Sequence, residues 1–195
     1  MPPADTREIL LRAALPLFVA QGVDGTGIRD IARRAGLTNP ALYRHFPGKE
    51  QLAAALFERC YTVLAQRLEQ AMATPGGFPA RLRAVVGAFL AMVDEDPHGM
   101  TFVAEQLTRF WPGLPPSLKQ RSIAGLLRRL IRQGAAEGQA PPEVSPEVLL
   151  AMLLGLVSQL ARMACQGQAS APAQLWAGDI QALMAQIFGI TQQPR

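Results

Sequence analysis

The chain has 195 residues, 49% of them hydrophobic and 17% charged, with a formal net charge of +4 and a sequence pI near 9.7. This composition supplies a sizeable core and excludes a disordered polymer, while two cysteines alone, Cys60 and Cys165, exclude a disulfide framework or a four-cysteine zinc site. The start Met1-Pro2-Pro3-Ala4-Asp5 lacks a secretory pattern, and the longest apolar run, Val148–Val157, is about half of a membrane span, so a soluble cytoplasmic protein with no membrane partner is expected.

Alternating strand patterns are nearly absent, and apolar residues recur at helical spacing between Pro- and Gly-rich breaks. Block one covers Thr6 to Gln21. Asp5 and Glu8 have capping-box spacing, Ile9, Leu10, Ala13, Leu17 and Ala20 form its apolar stripe, and Gly22 supplies a stop. Pro16 removes one intrahelical hydrogen bond and predicts a kink. Block two covers Ile28–Ala35 and ends at Gly36. Block three covers Asn39–Phe46 and ends at Pro47-Gly48. Block four runs from Lys49 to Ala73, before Pro75-Gly76-Gly77. Blocks five to nine cover Pro79–Glu95, Gly99–Phe110, Pro116–Ala136, Pro146–Cys165 and Ala173–Phe188, with short turn-rich separators that include Gly138–Pro142. The expectation is an all-α chain of about nine helices.

Blocks two and three form the most informative stretch. Ile28, Ile31 and Ala35 face inward, Gly36 suits a left-handed helix end, and Thr38 is placed to cap the next helix. On that helix Leu42 and Phe46, four residues apart, face inward, which leaves Asn39, Ala41, Tyr43, Arg44 and His45 outward. This is the layout of a helix-turn-helix, whose second helix enters the DNA major groove. Residues 27–49 carry Arg29, Arg33, Arg34, Arg44 and Lys49 against Asp30 alone, so the chain's whole positive excess lies here. Such charges neutralise phosphates and release counterions.

The stretch resembles the tetracycline-repressor-like (TetR) family of bacterial transcription regulators. The matching residues are Ala13-Ala14-Leu15 through Leu17-Phe18, Gly22, Thr26, Ile28-Arg29-Asp30-Ile31-Ala32, Ala35-Gly36-Leu37, and Leu42-Tyr43-Arg44-His45-Phe46 with Lys49-Glu50. The resemblance covers about residues 6–60; beyond them only helix number and order agree. Gly27 departs from the Ser or Thr usual there, at a cost of about a few tenths of a kcal/mol in capping. Pro40 departs at a first-turn position that tolerates it. The resemblance implies a three-helix DNA-binding domain over residues 1–48 and a larger helical effector-binding and dimerisation domain over residues 49–195. By position it implies Asn39, Ala41 and Arg44 at base edges, with Arg29 reaching in from the preceding helix. Asn suits adenine, Arg guanine and the Ala methyl thymine. Thr26, Tyr43, His45 and Lys49 are implied at phosphates. Tyr43 and His45 also fit packing within the small domain, and Arg33 and Arg34 also fit a solvated face.

In blocks four to seven, Phe57, Tyr61, Leu64, Phe89, Met92, Val93, Phe102, Phe110, Trp111, Leu126 and Leu130 fit an ordinary core. The resemblance implies that some of them line a small-molecule pocket, with Gln106, Tyr61 and Arg109 orienting a polar ligand end. Blocks eight and nine are apolar on more than one face: Leu149, Met152, Leu153, Leu156 and Leu160 recur in one, Trp176, Ile180, Leu183, Met184 and Ile187 in the other. A second stripe implies a second partner, and Ala151 and Gly155 permit close approach, so a two-fold homodimer is expected through both blocks. Arg121, Arg128, Arg129 and Arg132 read as a solvated face, and Asp94-Glu95-Asp96-Pro97-His98 as a solvated turn rather than a metal site. No nucleophile elbow, phosphate-binding glycine loop or zinc-protease pair occurs, so no enzyme, cofactor or metal is expected. The functional expectation is a DNA-binding transcriptional regulator, a dimeric repressor of a pseudo-palindromic operator released by a small-molecule effector. The alternative is a small-molecule carrier with vestigial DNA binding.

Overall fold

Short polar side chains and glycines decide where the helices begin and end. A computed structural model describes residues 5–139 and 143–190. Among them lie ten α-helices and no strand: α1 Thr6–Gly25, α2 Ile28–Arg34, α3 Asn39–His45, α4 Lys49–Met72, α5 Phe78–Glu95, α6 Pro97–Phe110, α7 Pro116–Gln120, α8 Ile123–Ala136, α9 Pro146–Cys165 and α10 Ala177–Ile187. Two 3-10 turns, Trp111–Gly113 and Ala173–Trp176, follow α6 and precede α10. The Met1–Ala4 start and the Ala140-Pro141-Pro142 part of one expected separator lie outside the described residues.

The all-α expectation holds, with two local differences. Block seven is two helices, because Ser122 has extended backbone and its Oγ accepts the Gly125 N–H at 3.1 Å, starting α8 afresh. In α1 the chain stays helical through Pro16, and the break comes at Gly22, whose φ of 73° and ψ of 162° divide the last turn from the rest. At the N-terminus of α1 Asp5 caps the Arg7 N–H at 3.0 Å, but Glu8 closes no capping box. Its carboxylate pairs with Arg12 and Arg59 instead, each at 2.8 Å.

The chain divides into two compact units. The first runs to Tyr61 and takes in Thr101–Leu114; the second holds Thr62–Met100 and the chain from Pro115 on. In the first, Leu10, Leu11, Phe18, Ile31, Leu42, Phe46, Leu52 and Leu56 are buried as the common core of α1 to α4. Phe18 stacks on Phe102 with centroids 5.8 Å apart. Phe57 packs on Tyr61 and on Phe110, and Tyr61 meets Trp111 edge-on, each pair at 5.7 Å.

In the second unit α5 packs against α8, α9 and α10. Phe78, fully buried, meets Phe188 at 5.0 Å. Gly77 at the N-cap of α5 has no side chain to offer, and Glu137 supplies the missing acceptor, taking the Phe78 N–H at 2.7 Å. Asp94, near the other end of α5, accepts the N–H groups of Ala173 at 2.6 Å and Gln174 at 3.1 Å, which fixes the turn leading into α10. Helix α9 is, among the described residues, long and apolar enough by length and composition to cross a membrane. Leu149, Leu150, Leu153 and Ala161 are buried on one side of it, and Val148, Ala151 and Gly155 are exposed on the other.

Candidate nucleic-acid interface

The helix-turn-helix is built from three local rules. Helix α2 ends in a Schellman motif: Leu37 N–H bonds Ala32 O at 2.9 Å and Gly36 N–H bonds Arg33 O at 3.1 Å. That motif needs a left-handed residue, and Gly36 has φ 68°. Thr38 then starts α3, its Oγ1 accepting the Ala41 N–H at 3.4 Å, with Pro40 in the first turn where no N–H is required. Leu42 and Phe46 are buried against α1 and α2, so the remaining surface of α3 turns outward.

That surface carries Tyr43, 50% exposed, with Arg44 and His45 exposed and Asn39 and Ala41 half-buried. Arg29 and Arg34 on α2 are exposed as well. Arg33 is held by Asp30 at 2.5 Å, which neutralises one of the four arginines and the one acid of the motif. Arg29, Arg34 and Arg44 make no ion pair among the described residues, so their charge is available to a polyanion.

Two of the expected phosphate contacts are placed differently from the rest. Thr26 is 2% exposed, and its single hydroxyl proton is shared between Gly22 O at 2.8 Å and Leu17 O at 3.2 Å, next to the break in α1. Lys49 is half-buried and its ammonium donates to Asp24 O at 2.8 Å and Thr26 O at 3.0 Å, leaving one of three N–H donors. Both residues thus hold the joint between α1 and α2.

Residues 10–56, the stretch just described, match the family of bacterial regulatory proteins designated tetR. The HTH-type transcriptional activator FasR of Mycolicibacterium smegmatis is 36% identical over 105 residues, which are 54% of this chain and 48% of FasR. The stretch of residues 10–56 belongs to the tetR family. The chain spans about half the length of that curated relative in the match. The structure of ketosteroid transcriptional regulator KstR2 of Mycobacterium tuberculosis shares the fold over 97% of both chains, with a TM-score of 0.80 at 21% identity. FadR from Bacillus subtilis, solved in complex with stearoyl-CoA, aligns over 92% of this chain and 98% of FadR, with a TM-score of 0.68 at 15% identity. These relatives are regulators, not enzymes.

Beyond the tetR-family stretch, the expected pocket residues divide between the two units. Phe57, Tyr61, Phe102 and Phe110 are buried in the aromatic core of the first, where Gln106 is half-buried and Arg109 forms ion pairs. Leu64, Phe89, Met92 and Leu126 are buried in the second. A cavity of about 20 Å³ lies in the second unit, lined by Val85, Val86, Phe89 and Leu90 of α5, Leu153, Leu156, Val157 and Leu160 of α9, and Ile180 and Met184 of α10. Of the expected lining only Phe89 borders it; Leu153, Leu156, Leu160, Ile180 and Met184, expected at a dimer interface, line it as well, and the paired apolar positions 85-86 and 89-90 are the sequence signal for the α5 side.

The expected dimer residues also divide. Leu149, Leu153, Ile180 and Met184 are buried within the subunit, and Met152, Leu156, Leu160, Trp176 and Ile187 are half-buried. Leu183 is 56% exposed, and Val148 and Leu175 are more so.

Proposed function

We propose that this chain is a DNA-binding regulator of the tetR family acting as a homodimer, each subunit setting α3 into one half-site of a pseudo-palindromic operator. The observation that carries the reading is the unpaired basic surface of the helix-turn-helix: Arg29, Arg34 and Arg44 flank the outward Asn39, Ala41, Tyr43 and His45. Arg44 and Asn39 suit base edges, with the Ala41 methyl beside them. Tyr43 and His45 suit phosphates. Lys49 offers its remaining donor to the backbone, and Thr26 serves by fixing the joint from inside.

The dimer rests on helices α9 and α10. A Cβ added at Gly155 meets nothing within 4 Å inside the subunit, so nothing in the subunit itself requires a glycine at this exposed position. A glycine there leaves room for the close approach of another helix. With Val148 and Leu183 exposed on the same two helices and Leu175 on the turn before α10, the apolar character of α9 fits cover by a second copy better than a membrane. In that dimer the two α3 helices meet half-sites about one helical turn apart, on the order of 34–36 Å, or a multiple of it.

Effector release follows the same reading. The small cavity between α5, α9 and α10 is lined by apolar side chains, so an effector entering there is apolar where it is buried and parts these helices to make room, and FadR, of the same fold, is solved in complex with stearoyl-CoA. An effector that binds one conformer better shifts the dimer away from the operator-competent one, and the chain then acts as a soluble repressor. Selection of duplexes from a random library by the purified protein tests the reading. A recovered inverted repeat, bound with an affinity that falls steeply with salt, supports it; equal indifference to all duplexes at low salt removes it.

A further inference from the structure

The joint between α1 and α2 is held by a residue far away in the chain. The break at Gly22 leaves Val23–Gly25 as a single turn whose direction helix continuity does not set. Asp24 stands on that turn, and both its oxygens accept from Arg109 at the end of α6: Nη1 to Oδ2 and Nη2 to Oδ1, each at 2.9 Å. The same guanidinium donates from Nε to Glu50 Oε1 at 3.0 Å and from Nη2 to Glu50 Oε2 at 2.7 Å, in the first turn of α4. Arg109 is itself well placed. The next residue, Phe110, is buried against Phe57 of α4, and Trp111 meets Tyr61 one turn further along it.

We propose that Arg109 is a positioning residue for DNA reading, a fork that binds Asp24 and Glu50 together and so fixes the joint on which α2 and α3 are carried. The proposal rests on the reading of the chain as a DNA-binding regulator. Isolated surface ion pairs contribute little, but two bidentate pairs sharing one planar guanidinium form a network with defined geometry. Arg109 also separates two like charges. Without it the Asp24 and Glu50 carboxylates face each other across the joint, and Lys49, bonded to the Asp24 and Thr26 carbonyls, remains as the other cation there. A lysine at 109 keeps the charge but lacks the fork and satisfies one carboxylate at a time.

The experiment uses the full chain, with the duplex that the wild-type protein selects from a random library. Arg109→Gln is expected to bind that duplex roughly tenfold more weakly, with Tm within about 2 °C of wild type, and Arg109→Lys to fall between. Asp24→Asn/Glu50→Gln removes the repulsion, and adding Arg109→Gln to it is expected to cost no further affinity. Amide hydrogen exchange without DNA is expected to accelerate over residues 23–34 in Arg109→Gln and, more mildly, in Asp24→Asn/Glu50→Gln, with no further acceleration when Arg109→Gln is added to the latter. Unchanged exchange in Arg109→Gln overturns the proposal whether or not DNA binds, and so does an affinity within twofold of wild type. A wild-type protein that selects no duplex, with exchange accelerated in Arg109→Gln, instead overturns the DNA-binding reading and the positioning role for DNA with it, leaving the fork a tie of the fold.

Discussion

Arg44 and Lys49 differ in how much of each is free to meet DNA. Arg44 is exposed and unpaired, and its planar fork fits a guanine edge, so Arg44→Ala is expected to cost about 1–3 kcal/mol on the selected duplex and to relax preference at one base pair. Anisotropy titrations on singly substituted duplexes measure this; a uniform loss over all duplexes assigns Arg44 to the backbone. Lys49 has already placed two of its three donors on the carbonyls of Asp24 and Thr26. Lys49→Ala is therefore expected to lower the salt slope by about one and also to lower Tm, since two carbonyls at the joint lose their donor. A lower slope at unchanged Tm makes Lys49 a phosphate contact alone. Thr26 lies at the other extreme: buried, with its hydroxyl proton shared between two carbonyls, it acts on DNA only through the backbone it holds.

Between elements, the fold is tied by contacts that span many residues. A Cβ at Gly134 of α8 would sit 2.8–2.9 Å from three ring carbons of Phe78, which is fully buried against Phe188. Gly134→Ala is expected to cost about 1–3 kcal/mol by overpacking, seen as a Tm lower by roughly 2–4 °C per kcal/mol; a rise in Tm, the usual result of Gly→Ala in a helix, refutes the close approach. Four carboxylates that join elements have pKa values held below the ordinary 3.8 or 4.5: Asp24 by hydrogen bonds and charge from Arg109, Glu69 by Arg121, Glu95 by Arg67, and Glu137 by the Phe78 N–H. Depressed folded values mean that their contribution is complete above about pH 4.5 and is lost as pH falls through the folded values. Thermal melts from about pH 7 to pH 3 are expected to be level with respect to these groups down to about pH 4.5 and to fall below it; a Tm that holds level to pH 3 refutes the linkage. The local signals of this fold were legible in the sequence: the Gly36 turn, the Thr38 cap, and the inward Leu42 and Phe46 rest on neighbours within five residues. The rest was not. Arg109 reads as a pocket residue until Asp24 and Glu50, 85 and 59 residues away, are brought to it, and no periodicity reports such a distance. The stop at Gly22 was legible as well: φ/ψ stay helical through Pro16, and the break comes at the glycine, where positive φ costs nothing.

At the scale of the whole molecule, the proposed dimer through α9 and α10 and the proposed reading by α3 stand together, because an operator's palindromy mirrors the two-fold symmetry of the protein that binds it. The subunit buries Leu149, Leu153, Ile180 and Met184 for itself, and leaves Gly155 open and Leu183 exposed. Charges added at the two outward positions therefore test dimerisation without touching the subunit's own core. Gly155→Glu/Leu183→Glu is expected to remain helical, since neither side chain has to enter the core and glutamate favours a helix over glycine. Light scattering is expected to give the wild-type protein about twice the 21.0 kDa chain mass and the variant the chain mass itself. Loss of the second linked contact is expected to weaken binding to the full inverted repeat by at least about a hundredfold while sparing a single half-site. A variant that stays dimeric places the interface elsewhere, and one that turns monomeric yet binds the full repeat as before separates DNA reading from symmetry.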